Sequence, residues 1–242
     1  MPYPSRPLNP WLHLFPPLLL IVLLLSFEPT RLDFALAELF YTPGVGFIGR
    51  HDAFLEDILH DRAKQAVILF GVLAVGGWLL SCCYRPWRHL RRPLGYLVLA
   101  MGLSTAIVTP LKALTAVQCP WSLRDFGGAE VYSSLLSARP VTEHPGRCWP
   151  GGHASTGFTF FALYFLLRDR RPRLARVALL GALALGSLFS VARMLQGAHF
   201  LSHNLWTALF DWLICLGSYR LLLYRPQREE VPAIAAVARR PA

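Results

Sequence analysis

Three polar clusters interrupt an otherwise apolar chain. The first is Lys112 followed by Cys119-Pro120-Trp121. The second is Pro150-Gly151-Gly152-His153-Ala154-Ser155. The third is Arg193 with His199 and His203-Asn204. A histidine behind two glycines at a helix start sits beside backbone N–H groups that lack intrahelical partners, and such helix starts bind anions, phosphate among them. Lys112 and Arg193 add positive charge, and an arginine can hold a phosphate through two parallel hydrogen bonds. Two histidines can then divide the chemistry, one attacking phosphorus and the other protonating the leaving oxygen. Both tasks need a group that changes protonation near neutral pH. These parts describe phosphoryl transfer through a phosphohistidine. A zinc site is the competing reading: His199 and His203 are four residues apart and His153 could be a third ligand, although no acidic residue lies nearby in sequence.

The elements that must position these clusters are membrane helices. Of 242 residues, 54% are hydrophobic and 16% charged, against roughly 25% charged in an average soluble domain. A soluble enzyme, a disordered chain and a coiled coil are disfavoured. Six apolar stretches can be read against the roughly 20 residues a spanning helix needs: Trp11–Phe27, Ala66–Cys83, Leu94–Leu114, the short and aromatic-rich Ala154–Leu167, Leu174–Val191 and Leu205–Tyr224, the last enclosing Asp211. The expected fold is all-α, a polytopic membrane protein with six transmembrane helices in a bundle. A membrane domain over residues 1–225, with its motif core at 112–204, would be followed by a disordered cytoplasmic tail at 226–242. Arg6 and Ala35-Leu36-Ala37 resemble parts of a signal peptide. Glu28, Arg31 and Asp33 separate the apolar run from that cleavage-like site, so a retained first helix is favoured.

The charges assign an orientation. The net charge is +10, and 22 of the 24 basic residues are arginine. In a six-helix topology 15 basic residues fall on the side of the termini, while the other side takes nine basic and ten of the 14 acidic residues. The positive-inside rule then puts both termini in the cytoplasm. It also accounts for the basic excess without nucleic acid. All three polar clusters reach the outer face. Of the two large outward loops, residues 28–65 are expected to hold an amphipathic helix at about His51–Gln65. Residues 115–152, rich in Gly, Pro, Ser and Trp, read as irregular.

The clusters resemble the motifs of the type 2 phosphatidic acid phosphatase superfamily of integral membrane lipid phosphatases. That pattern runs Lys, six residues, Arg-Pro; then Pro-Ser-Gly-His; then Ser-Arg, five residues, His, three residues, Asp. Here it reads Lys112, six residues, Cys119-Pro120; then Pro150-Gly151-Gly152-His153; then Ala192-Arg193, five residues, His199, three residues, His203. The resemblance implies that His199 is the nucleophile and His153 the general acid, with Lys112, Arg193 and the Gly152 backbone binding phosphate. It implies no metal and no cofactor. It also implies a lipid phosphate or pyrophosphate substrate, hydrolysed at the outer face of a bacterial inner membrane with the site on the periplasmic side. Candidate substrates are a polyprenyl pyrophosphate carrier, phosphatidylglycerol phosphate, phosphatidic acid and lipid A phosphates. A lipid phosphotransferase and a catalytically inactive membrane binding protein are the alternatives. The oligomeric state is not readable from the sequence.

The departures from the pattern define what the structure must answer. Cys119 replaces a phosphate-binding Arg, Gly151 replaces a Ser, and Ala192 replaces the Ser before Arg193. His203 replaces the Asp that orients the nucleophile, which leaves His203 and Asn204 as candidate orienting groups. Arg124 and Arg147 are candidates to replace the missing Arg. Asp211 is eight residues beyond His203, about 12 Å along a helix and too far to replace the Asp directly. Cys119 and Cys148 share the outward loop, and each adjoins a motif. An oxidising compartment permits a disulfide between them, which would tether the first motif to the second in place of the Arg.

Overall fold

The computed structural model describes residues 5–50, 52–55 and 62–226, and the chain is mostly helical. The first apolar stretch forms two helices, α1 (Pro10–His13) and α2 (Phe15–Ser26). Pro16 and Pro17 lie in the first turn of α2, where a missing N–H is tolerated. Next come α3 (Thr30–Glu38) and a small antiparallel hairpin of β1 (Tyr41–Thr42) and β2 (Gly46–Phe47). Neither was foreseen from the sequence. The expected helix at His51–Gln65 lies largely outside the described residues. Its last residues open α4 (Ala63–Cys83).

A short 3-10 turn at Arg85–Leu90 leads into α5 (Arg91–Ala106) and, after Ile107, into α6 (Val108–Thr115). The third apolar stretch is therefore two helices. Pro110 again sits in a first turn, that of α6, and α6 ends where Ala116 adopts a left-handed conformation at φ 47°. The fourth stretch is divided too, into α7 (Gly152–Phe158) and α8 (Phe161–Leu167). The remaining helices are α9 (Pro172–Leu195) and α10 (Leu201–Leu222).

Among the described residues three stretches are long and apolar enough to cross a membrane: Lys64–Cys83, Arg85–Ser122 and Pro172–Leu195. Large apolar side chains such as Leu69, Val72, Leu73, Leu180 and Val177 are exposed on them, as expected of a surface facing lipid. α10 has 22 residues, about 33 Å of helix, but half of them are buried, polar groups among them.

The core lies where α5, α7, α8, α9 and α10 meet. Tyr96, Ala154, Phe161, Phe165, Cys215 and Tyr219 are buried there. α7 approaches α9 through two glycines: a Cβ on Gly157 would fall 2.5 Å from the Gly186 nitrogen. Small residues let membrane helices come this close, and the contact sets the end of α7 against the helix that carries Arg193. Inside this core the Ser155 hydroxyl lies 3.1 Å from the Ser104 carbonyl and 3.3 Å from Asp211 Oδ1. Asp211 is therefore a buried partner of the helix that carries His153, not of the third cluster. The expected tail at 226–242 lies outside the described residues after Pro226.

Candidate active site

The three clusters converge at one end of the bundle. Lys112 is in the last turn of α6. Its Nζ lies beside Gly152, where an added Cβ would be 3.3 Å away. Gly152 opens α7 after Gly151, and His153 follows it. Arg193 is in the last turn of α9, His199 in the turn that follows, and His203 and Asn204 in the first turn of α10. Gly197 makes that turn possible by adopting φ 73°. The Gly151 N–H donates to the His203 carbonyl at 3.2 Å. Thr207 Oγ1 bridges the Gly151 carbonyl at 3.0 Å and the His203 carbonyl at 2.9 Å. These bonds fix α7 to α10 at the level of the histidines.

The irregular loop is held at both ends. Cys119 and Cys148 form a disulfide with their Cα atoms 5.1 Å apart. The Cys148 N–H donates to the Val117 carbonyl at 3.0 Å, and Thr115 Oγ1 donates to the Trp149 carbonyl at 3.1 Å. Trp121 couples the loop to the histidine turn through its N–H, which donates to the Gly197 carbonyl at 2.9 Å. Its ring lies under the Arg193 guanidinium at 5.8 Å, within the range of a cation–π contact. Arg193 Nη1 also donates to Gln196 Oε1 at 2.7 Å.

His199 is almost fully buried, and its Nδ1 lies 2.8 Å from the Cys148 carbonyl. A carbonyl oxygen only accepts, so Nδ1 carries the proton and Nε2 keeps its lone pair. Burial, then the charges of Lys112, His203 and Arg193, hold His199 well below the ordinary histidine pKa, while the carbonyl contact opposes them. The imidazole is thus neutral and of one tautomer. His203 lies beside it with ring centroids 6.0 Å apart. The Asn204 amide donates to the Phe200 carbonyl at 3.1 Å. Among the described residues no hydrogen bond joins His199 to either candidate orienting residue; the carbonyl of Cys148 occupies that place.

The other departures also find physical reasons. A Cβ on Gly151 would lie 2.4 Å from Asn204 Oδ1, so Asn204 fills the space that a serine at this position would need. Arg124 turns into its own loop, where Nε donates to the Ala129 carbonyl at 3.1 Å, and Arg147 is exposed. Arg124 is therefore not drawn into the site as the missing arginine. Among the described residues no group of three or more His, Cys, Asp or Glu side chains could hold a metal ion.

One contributor escaped the sequence reading. Asp33 of α3 is buried, and its carboxylate accepts from the Ser202 N–H at 2.9 Å and the Ser202 hydroxyl at 2.5 Å. It caps α10 from outside, where the residue before the helix, Phe200, provides no side-chain cap. Burial raises its pKa from 3.8 to about 6, against the lowering effect of the Ser202 hydrogen bonds, with Glu28 adding to the rise. An acidic residue on a mostly apolar helix was the only available sign, and nothing in the sequence linked it to residue 202, 169 positions away.

A helical bundle with stretches long and apolar enough to cross a membrane thus brings histidines, a lysine and an arginine together at one end. The model of the PAP2 superfamily matches residues 93–227, more than half of the sequence, and the chain belongs to that superfamily. It is also 26% identical over 198 residues to a lipid A 4'-phosphatase of Francisella tularensis subsp. novicida (strain U112), an alignment covering 79% of this chain and 86% of that protein. No solved structure matches. Family and relative together support a hydrolase of the phosphatase type with membrane character. α3, with Asp33, lies outside the matched region.

Proposed function

We propose that this chain is a six-span membrane enzyme that hydrolyses a lipid phosphate through a phosphohistidine on His199. The reading rests above all on one contact, the 2.8 Å approach of His199 Nδ1 to the Cys148 carbonyl. It leaves the Nε2 lone pair available near two cationic side chains. The lipid phosphate is held by Lys112, Arg193 and the first N–H groups of α7. Nε2 attacks phosphorus, the P–N bond forms, and the P–O bond to the lipid breaks. His153, protonated at this stage, gives its proton to the departing oxygen. Neutral His153 then takes a proton from water, which attacks phosphorus and breaks the P–N bond. Inorganic phosphate leaves, and both histidines return to their starting states.

The lost motif carboxylate is compensated in orientation but not in charge. A carbonyl fixes the tautomer, as the third member of a catalytic triad does, without offering a full negative charge to the histidine cation. The expected substrate class is a phosphate monoester on a membrane lipid at the outer face, with a lipid A type phosphate as the first candidate because of the relative's activity. Both termini are assigned to the cytoplasm by the arginine distribution. The test is phosphate release from a panel of lipid A, phosphatidic acid, phosphatidylglycerol phosphate and polyprenyl pyrophosphate by purified protein. His199→Ala should abolish release from every lipid that the wild type hydrolyses. Equal release by the two, or none by either, contradicts the proposal.

A further inference from the structure

A second charged feature lies at the opposite end of the bundle, and the proposed chemistry does not use it. A cavity of about 700 Å³ is lined by Arg88, Arg91, Arg92, Arg170, Arg171 and Arg225. These come from four places: the turn after α4, the start of α5, the α8–α9 junction and the segment after α10. α10 alone separates the cavity from His203 by about 30 Å. Among the described residues none of the six guanidinium groups has a hydrogen bond or ion pair. Asp169 is the one acidic residue in the lining, and its carboxylate already accepts from the Tyr219 hydroxyl at 2.6 Å and the Arg6 N–H at 3.1 Å.

Arginines are expected near a cytoplasmic membrane face for topological reasons alone. Topology does not require them to converge on one cavity, where like charges repel. Nor does it require what adjoins them. A second, apolar cavity of about 780 Å³ shares Arg91, Arg92 and Arg225 with the first and continues between α5 and α10 along Gly95, Val98, Leu99 and Leu221. Trp78 and Tyr224 flank it, residue types that favour the lipid headgroup level. A chamber with apolar walls and six exposed arginines around it, opening into an apolar groove, matches a molecule with an anionic head and hydrocarbon tails.

We infer that this paired cavity is a binding site for one anionic glycerophospholipid, its headgroup phosphate among the six arginines and an acyl chain in the groove between α5 and α10. Guanidinium groups bind phosphate through charge-assisted, often bidentate bonds, and basic pockets between membrane helices take such headgroups. The site is independent of the catalytic reading, because it shares no residue with it.

The experiment is lipid titration of purified, delipidated protein in detergent, with bound lipid counted by native mass spectrometry. It is run at high salt, where diffuse surface attraction is screened. Wild type should retain one phosphatidylglycerol per chain, saturably and at least about tenfold more tightly than phosphatidylcholine. The triple variant Arg91→Gln, Arg92→Gln, Arg225→Gln, or Arg91→Gln alone if the triple variant does not fold, should lose this preference. The control Arg173→Gln, Arg176→Gln removes two exposed arginines of the same end that line neither cavity, and should change affinity less than about twofold. Equal retention of phosphatidylcholine, equal losses in variant and control, or displacement of lipid by inorganic phosphate at comparable affinity would overturn the assignment.

Discussion

In the proposed mechanism a backbone atom takes over a side chain's task at His199. Its Nδ1 meets the Cys148 carbonyl, and Cys148 is held by the disulfide to Cys119. Two departures from the family pattern are therefore linked. In the proposed mechanism Cys119, at the position of the family's Arg, anchors the carbonyl that would do the work of the missing Asp. Gly151 and Asn204 form a second linked pair, since Asn204 Oδ1 occupies the place of a Cβ at 151. Restoring the family serine should therefore harm this protein. Gly151→Ser is expected to destabilise by about 1–3 kcal/mol, as overpacking of a filled site does. Adding Asn204→Ala should recover part of the loss, a non-additivity that thermal unfolding of the two single variants and the double variant would reveal. The residue types of the site were legible from spacing, because Lys112, Gly152, His153, Arg193 and His199 each carry distinctive chemistry. The orienting carbonyl was not, because every residue has one and only the folded loop selects it. Asp211 was legible as an anomaly but not as the partner of Ser155, since helix packing rather than sequence distance joins them.

At the scale of elements, the site depends on how α7, α10 and the loop between α6 and α7 are tied together. The disulfide closes a loop with a sequence separation of 29, a length for which the chain-entropy relation gives about 3.6 kcal/mol. Replacing both Cys119 and Cys148 with serine is expected to lower the unfolding temperature. It should also lower kcat more than it raises KM, because it loosens the carbonyl that orients His199 rather than the phosphate ligands. Steady-state kinetics on protein that remains folded at the assay temperature separates the two effects.

Asp33 ties α3 to the start of α10, and its carboxyl titrates at about 6 against an ordinary 3.8. The folded state thus holds this proton more tightly than the unfolded chain. The group's contribution to stability is largest below about pH 4 and declines as pH rises through about 6. Asp33→Asn does not titrate there. The stability of wild type relative to this variant should fall between about pH 4 and 6.5 in unfolding measurements at stepped pH. A constant difference would contradict the buried cap. Each of the six apolar stretches is helical in large part, and among the described residues three stretches are long and apolar enough to cross a membrane. Their internal breaks were less legible. Ile107 interrupts the third, and Thr159 and Phe160 the fourth, where neighbouring helices rather than local composition decide. α3 and the hairpin escaped notice because their residues have tertiary rather than periodic reasons to be ordered: Phe34, Phe47, Phe126 and Phe200 form one aromatic cluster.

For the whole molecule, the low charged fraction and the +10 net charge resolve into two ends with different chemistry. At one end a few buried polar groups surround neutral His199. At the other, arginines line a cavity beside an apolar groove. Membrane character was legible from composition alone, and the arginine count alone could not separate topological charge from a built cavity. In the proposed mechanism His199 becomes the phosphorylated residue. Wild-type protein is mixed with a lipid phosphate labelled on phosphorus, quenched within milliseconds, and digested for mass spectrometry. An acid-labile phosphoramidate is expected on the peptide carrying His199, present during turnover and absent from His199→Ala. Label on another residue, or full turnover by His199→Ala, would contradict that mechanism.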